Sequence, residues 1–204
     1  MKKNDDGKTA LHFAAEKNSK ETAEVLISHG ANINEKDNKH GQTALHRAAW
    51  CNYTETAEVL ISHGANINEK ENDGETALHI AAHLNFKETV EVLISHGINI
   101  NEKNNDGETA LHITVYNNYT KITNVLISHG ANINEKDKYG KTALHCAVWH
   151  KYTETAEFLI SHGANINEKD KYGKTALHIS AENNRKKQPK FSFHIPSEIL
   201  QPRF

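Results

Sequence analysis

The stretch Gly74–Ile100, GETALHIAAHLNFKETVEVLISHGINI, decides the fold because most of it recurs along the chain. Its first part, GxTALH, begins at six glycines that are spaced 34 residues apart once and 33 apart thereafter: Gly7, Gly41, Gly74, Gly107, Gly140 and Gly173. Its last part belongs to a second string, ISHGANINEK, found at Ile27, Ile61, Ile127 and Ile160 and, with Ile98 in place of alanine, at Ile94. A fixed period of this length predicts a stack of similar structural units.

Each period predicts two short helices joined by a turn. In the third copy the apolar residues favour helices over Ala77–Leu84 and Lys87–His96, with Thr76 capping the first of them. Glu88 lies in the first turn of the second helix, where the helix dipole favours an acidic residue. Asparagine adopts the left-handed conformation that ends a helix, which assigns this role to Asn85 and its equivalents Asn18, Asn52, Asn118 and Asn184.

Helices of about eight residues are unstable alone, because nucleation costs more than so few hydrogen bonds return. They must therefore be stabilised by stacking on the neighbouring copy. The third copy is expected to bury Leu78, Ile80, Ala81, Val92, Leu93 and Ile94. The result is a quasi-one-dimensional solenoid with no single central core.

The sequence resembles the ankyrin repeat over about residues 4–184, on the strength of Thr-x-Leu-His-x-Ala followed by Leu-Ile-x-x-Gly-Ala in a 33-residue period. The resemblance implies an all-α solenoid of stacked helix-turn-helix units with short β-hairpin loops. We expect an array over residues 1–188, divided at about 4–36, 37–70, 71–103, 104–136, 137–169 and a partial copy 170–188. In the family, the TALH histidine forms a hydrogen-bonded staple to neighbouring backbone.

Two departures from the family pattern affect the expected packing. Alanine replaces the usual proline in all six copies, so the first helical turn is less preorganised, although alanine is the best helix former. In the fourth copy, Thr114-Val115 replaces the usual Ala-Ala. These bulkier, β-branched residues predict a locally wider or weaker stack.

Charge, apolar content and cysteine positions limit which partners and which cellular compartment are expected. The net charge is −2, with 24 basic and 26 acidic residues, so no global attraction to nucleic acid or to an anionic membrane is expected. The sequence has neither a secretory signal nor an apolar run of membrane-spanning length, which predicts a cytoplasmic or nuclear protein. Cys51 and Cys146 lie three copies apart, about 30 Å in a helical stack, and are expected to be free thiols.

The histidines invite a metal or acid-base hypothesis, but eleven of the 15 occupy two fixed slots of the repeat, which indicates a scaffold role. His79 and His83 have the i, i+4 spacing of a zinc helix but lack its glutamate. The Gly-Lys-Thr strings lack the earlier glycine of a phosphate-binding loop in the later copies, and the acidic turns lack the bidentate glutamate of a calcium loop. We therefore expect no metal, no cofactor and no catalytic residue, and the chain is not predicted to be an enzyme.

Residues that vary between copies are free to recognise a partner, and the resemblance places them on a concave face formed by hairpin tips and first helices. The ends of the first helices contribute Trp50, Cys51, His83, Leu84, Tyr116, Asn117, Trp149 and His150. The hairpin tips add Lys39, His40, Asn72, Asp73, Asn105, Asp106, Lys138, Tyr139, Lys171 and Tyr172. Exposed aromatic residues in a row are typical of interface anchors, although the same rings could instead pack sideways on neighbouring copies.

These observations predict a monomeric, non-enzymatic scaffold that binds a partner protein through its concave face. An alternative is an adaptor in which the C-terminal tail, residues 189–204, is the recognition element and the repeats dock a client. The tail contains the three prolines and several apolar residues, so it is expected to be either disordered or a cap on the last repeat.

Overall fold

The computed structural model describes residues 3–185, which fold into eleven α-helices arranged as five pairs and a single last helix. The first helices of the pairs are α1 (Ala10–Glu16), α3 (Ala44–Trp50), α5 (Ala77–His83), α7 (Ala110–Tyr116) and α9 (Ala143–His150). The second helices are α2 (Lys20–Ser28), α4 (Thr54–Ser62), α6 (Lys87–Ser95), α8 (Thr120–Ser128) and α10 (Thr153–Ser161), and α11 spans Ala176–Arg185. The predicted tail, residues 189–204, lies outside the described residues.

The loops between repeats are hairpin-shaped turns, and the described residues contain no β-strand. Each turn is closed by a backbone hydrogen bond, such as the one from Asn104 N–H to Glu108 O at 2.9 Å. Gly107 has a φ of 74°, and a Cβ atom there would lie 2.7 Å from the backbone nitrogen of Lys138. Only glycine satisfies both the positive φ and this close approach of the next hairpin.

A threonine and a histidine fix the start of each first helix. In the third repeat, Thr76 N–H donates to Nδ1 of His79 at 3.2 Å, and Nε2 of His79 lies 3.1 Å from the carbonyl oxygen of Glu108 in the next repeat. A carbonyl oxygen only accepts, so Nε2 carries the proton and Nδ1 accepts. The ring is therefore neutral, and the predicted histidine staple is confirmed at His12, His46, His79, His112 and His145.

Left-handed residues end the first helices, as predicted for four of the asparagines. Asn18, Asn52, Asn85 and Asn118 have φ between 52° and 59°, and Lys151 takes the same role in the fifth repeat with φ 63°. The prediction for Asn184 was wrong, because α11 continues through it to Arg185. The preceding helices turn back into a second helix at this point, whereas α11 adds three more residues.

The buried residues form one continuous layer along the stack, from Leu11 to Ala176. In the third repeat Leu78, Ile80, Ala81 and Leu93 are buried as predicted, but Val92 and Ile94 are only half-buried. The second helix α6 instead buries Thr89, Val90 and Leu93. These three residues occupy one narrow face of the helix, and Val92 and Ile94 fall on its flanks.

Polar contacts also repeat from one unit to the next. On the loops that follow the second helices, Nζ of a lysine reaches the glutamate and a backbone carbonyl of the next repeat, as in Lys36 to Glu69 at 2.7 Å and to Lys70 O at 2.7 Å. A threonine hydroxyl of one second helix donates to the helix-ending asparagine of the preceding repeat, as in Thr89 to Asn52 Oδ1 at 2.7 Å. We call this second contact the Thr–Asn clasp; it recurs at Thr56 and Thr155.

The fourth repeat departs from this regular pattern. Ile122 replaces the clasp threonine and is fully buried. Thr114 and Val115 are also fully buried, and the Thr123 hydroxyl donates to Thr114 Oγ1 at 3.1 Å. A groove of about 330 Å³ opens between α8 and α10. That this part of the stack is energetically weaker stays a prediction.

Candidate protein-binding face

The hairpins and the C-terminal ends of the first helices form one surface, which we call the hairpin-side face. In the first, third and sixth repeats, the residue after the hairpin glycine pairs with a side chain eight residues further on, at the end of the first helix. Lys8 contacts Glu16 at 2.6 Å, and Glu75 contacts His83 at 3.2 Å. In the last repeat Lys174 contacts Glu182 at 2.7 Å.

Three large aromatic side chains are half-exposed on this face. Trp50 is 53% exposed, Tyr116 55% and Trp149 50%. Each occupies the same position of its repeat, as the last residue of α3 and α7 and the next to last of α9. His83 fills this position in α5 and is also exposed. With about 10 Å between stacked helices, the row extends over about 30 Å.

Tyr116 and His150 show that part of this row also packs sideways. The two rings meet edge to face with centroids 4.6 Å apart, and His150 stacks on Tyr152 at 5.4 Å. The contact fixes the orientation of Tyr116 while leaving more than half of its side chain exposed. The sideways packing that the sequence left open is therefore present at this residue, which also stays exposed.

Three of the expected site residues belong more to the scaffold than to the surface. Leu84 is half-buried and packs against the core, and Asn117 donates from Nδ2 to the carbonyl oxygen of Ile113 at 2.9 Å. Cys51 is half-buried and its thiol is free. Burial raises the pKa of Cys51, which makes this cysteine a poor nucleophile at neutral pH.

The expected residues of the hairpin tips are exposed. They differ in charge along the stack: Lys39 and His40 stand in the second hairpin, Asp73 in the third, Asp106 in the fourth and Lys138 in the fifth. Lys138 forms an ion pair with Asp106 of the preceding hairpin. Tyr139 and Tyr172 at the fifth and sixth tips are 40% and 70% exposed.

The sequence interpretation missed the residues that follow the hairpin glycines. Lys141 lies 5.7 Å from the ring of Trp149, and Glu75 and Lys174 pair with the helix ends described above. It also missed Phe13, which is 42% exposed and has Lys8 at 5.7 Å from its ring. A sequence signal for the pairing was present, because each pair eight residues apart joins a basic and an acidic residue: Lys8/Glu16, Glu75/His83 and Lys174/Glu182.

His79 and His83 do not form a metal site. Both ring nitrogens of His79 are occupied by the staple, whereas Nε2 of His83 bonds to Glu75. The hydrogen bond that His83 donates to Glu75 raises the pKa of His83. Burial acts to raise the pKa of Glu75, but the hydrogen bond with His83 helps to bring that pKa below its usual value. Among residues 3–185, no cluster of histidine, cysteine and acidic side chains is arranged to hold a metal ion.

Within residues 3–185, helix pairs are joined by glycine turns and each pair packs on the next one along the chain, which defines a helical repeat solenoid. A family model described as ankyrin repeats (3 copies) matches residues 1–71, 66–137, 100–170 and 134–188. The chain therefore belongs to the ankyrin repeat family, whose members are generally protein-protein interaction modules. A comparison with curated proteins found no match. Within the described residues, every helix is too short or too polar to cross a membrane.

Proposed function

We propose that this chain is a non-enzymatic scaffold that binds a partner protein through its hairpin-side face, the face that is concave in ankyrin solenoids. The observation that carries the proposal is the row of half-exposed Trp50, Tyr116 and Trp149. The exposed half of such side chains leaves apolar area in contact with water, and a partner protein gains free energy by burying it. Trp and Tyr are enriched among residues that dominate binding energies, because they bury large areas at little cost in conformational entropy.

The position of the row supports the same proposal. The TALH and SHGA residues hold the same places in all or nearly all copies, as expected of residues that make the staples and turns. The position of Trp50 instead holds glutamate, tryptophan, histidine, tyrosine, tryptophan and glutamate in successive copies. A position at which the repeat tolerates several residue types can be adapted to one partner, and the rigid stack presents its side chains without further ordering on binding.

The experiment compares the variant Trp50→Ala/Trp149→Ala with the wild type. A partner is first identified by crosslinking and affinity capture, and its Kd for the purified protein is then measured by calorimetry. We expect binding to weaken at least about 30-fold, which corresponds to one hot spot of about 2 kcal/mol. Circular dichroism verifies that the variant keeps its helix content.

The matched control is Val25→Ala/Ile160→Ala, which removes two side chains that are 57% and 48% exposed on the second helices. It is expected to change the Kd less than threefold. Equal affinity of the wild type and the tryptophan variant for every captured partner would refute the proposed face. A loss in the control that matches the loss in the tryptophan variant would place the interface on the second helices.

A further inference from the structure

The hairpin-side face contains two adjoining regions of opposite charge. The third and fourth hairpins both read Asn-Asp-Gly-Glu, at residues 72–75 and 105–108. The fifth and sixth both read Lys-Tyr-Gly-Lys, at residues 138–141 and 171–174. Since the hairpins follow one another along the stack, four carboxylates adjoin four lysines. Nothing in the ankyrin fold requires this division, because the same turn is formed by both sequences.

Three lysines of the basic region converge on a single tyrosine. The Nζ atoms of Lys171, Lys138 and Lys141 lie 4.0, 5.1 and 5.9 Å from the ring centroid of Tyr139. The ring faces attract the ammonium groups, but each such contact is weak at an exposed site. The like charges repel one another at the same time, so the arrangement favours a bound anion.

Two of these ammonium groups are available to a ligand. Lys138 is paired with Asp106, and the neighbouring Lys174 is paired with Glu182. The ammonium groups of Lys141 and Lys171 form no ion pair or hydrogen bond with the described side chains: Lys141 lies near the rings of Tyr139 and Trp149, and Lys171 near those of Tyr139 and Tyr172. Their ammonium groups therefore keep hydrogen atoms free to donate to carboxylate oxygens.

We infer that Lys138, Tyr139, Lys141, Trp149, Lys171 and Tyr172 form a basic–aromatic patch that binds an acidic segment of the partner protein. The inference rests on the proposed function and adds the chemistry and the orientation of the bound segment. The carboxylates of the bound acidic segment lie on the fifth and sixth hairpins. Its continuation toward the third and fourth hairpins is neutral or basic, because Asp73, Glu75, Asp106 and Glu108 stand there.

A peptide fits this surface better than a nucleic acid does. A strand of nucleic acid carries a phosphate at every nucleotide, so beyond the patch it would meet the carboxylates of the fourth hairpin about 10 Å away. A peptide can change the sign of its charge within a few residues. The tyrosine and tryptophan rings provide apolar contact next to the lysines, as in the centres of protein interfaces.

The inference is tested with a fluorescein-labelled twelve-residue peptide that carries glutamate at alternate positions, and with single-stranded oligothymidylate as the nucleic-acid probe. Fluorescence anisotropy at low salt measures the binding of each probe to the full chain. Wild-type protein is expected to bind the peptide, and Lys141→Glu/Lys171→Glu is expected to weaken it at least tenfold. The control Lys17→Glu/Lys121→Glu makes the same charge change at exposed lysines outside the hairpins and is expected to change binding less than twofold.

Three outcomes would overturn the inference. They are no peptide binding by the wild type up to millimolar concentration, equal losses in both lysine variants, and tighter binding of oligothymidylate than of the peptide. The identified partner separates this inference from the proposed function. If Trp50→Ala/Trp149→Ala weakens that partner while Lys141→Glu/Lys171→Glu does not, the face is correct and the acidic segment is wrong. If neither variant weakens it, both proposals fail.

Discussion

The fifth and sixth repeats contain the same residues, Thr-Ala-Leu-His, in different surroundings. Leu144 is 1% exposed and His145 is buried, whereas Leu177 is 76% exposed and His178 is exposed. His145 reaches the carbonyl oxygen of Lys174 at 3.1 Å, while the bonds described for His178 are only those to its own Thr175. Burial in this protein is therefore set by the next repeat along the chain and not by local sequence.

The largest effect on stability is expected from a change of pH, because protonation acts on several of the buried staple histidines together. Burial lowers the pKa of His12, His79 and His112, and lowers that of His46 to about 4. The unfolded chain protonates these four histidines near pH 6.5 and the folded chain does so only at lower pH, so the stability that they contribute is full above pH 6.5 and falls as the pH drops toward 4. His46 alone accounts for about 3 kcal/mol of this loss.

Urea unfolding followed by circular dichroism at pH 7.5, 6 and 5 measures the effect. We expect the midpoint to decrease steadily over this range. Nuclear magnetic resonance of the imidazole protons at pH 5.5 provides the control, with His46 expected in its neutral form. A midpoint that does not change between pH 7.5 and 5 would contradict the assigned role of the buried histidines.

A smaller effect is expected from shortening one leucine in each environment. Leu111 and Leu177 occupy the same position of the repeat, but Leu111 is 1% exposed. Leu111→Ala leaves a cavity between two repeats and is expected to cost 2–5 kcal/mol, on the order measured for buried leucines. Leu177→Ala is expected to cost less than about 0.5 kcal/mol. Urea unfolding of both variants measures the difference, and similar losses would show that Leu177 is covered in solution.

The smallest effect is expected from removing one Thr–Asn clasp. The comparison uses the first repeat, at the N-terminal end of the stack, where the clasp has no preceding repeat to bond to. Thr89 bonds to Asn52 of the preceding repeat, whereas Thr22 holds the same position in the first repeat and is exposed. Thr89→Val retains the shape but removes the hydrogen bond, at an expected cost of about 1 kcal/mol. Thr22→Val is the matched control with an expected change below about 0.5 kcal/mol. Equal changes in the two unfolding midpoints would show that the clasp contributes nothing.

The sequence predicts the features that each repeat determines by itself. The capping residue Thr76 and the left-handed Asn85 depend on neighbouring residues only, and both were predicted correctly. The failures concern relations between units. Asn184 has the same local sequence signal as Asn118, yet its helix continues, and Val92 and Ile94 were assigned to the core although the adjoining second helices leave them half-buried.

The candidate site was predictable in part for the same reason. Periodicity identified the positions of Trp50, Tyr116 and Trp149, because these residues fail to recur. It did not identify the approach of Lys171 to Tyr139, since that contact joins the tips of two successive hairpins. An alignment of the six copies against one another would have paired the residues after the hairpin glycines with the helix ends. The geometry of the lysines around one ring requires coordinates.

The lysine–glutamate ion pairs between successive loops, here called rungs, restrict how the chain can change in length. Each rung joins a residue to one about 33 positions further on, as in Lys70 to Glu102 at 2.8 Å and Lys103 to Glu135 at 2.7 Å. Duplicating or deleting one complete unit in the interior therefore recreates every rung, whereas inserting a few residues into a loop breaks those on both sides. Growth by whole units is thus tolerated by the architecture, and duplicating the fourth or the fifth unit would lengthen the acidic or the basic region by about 10 Å.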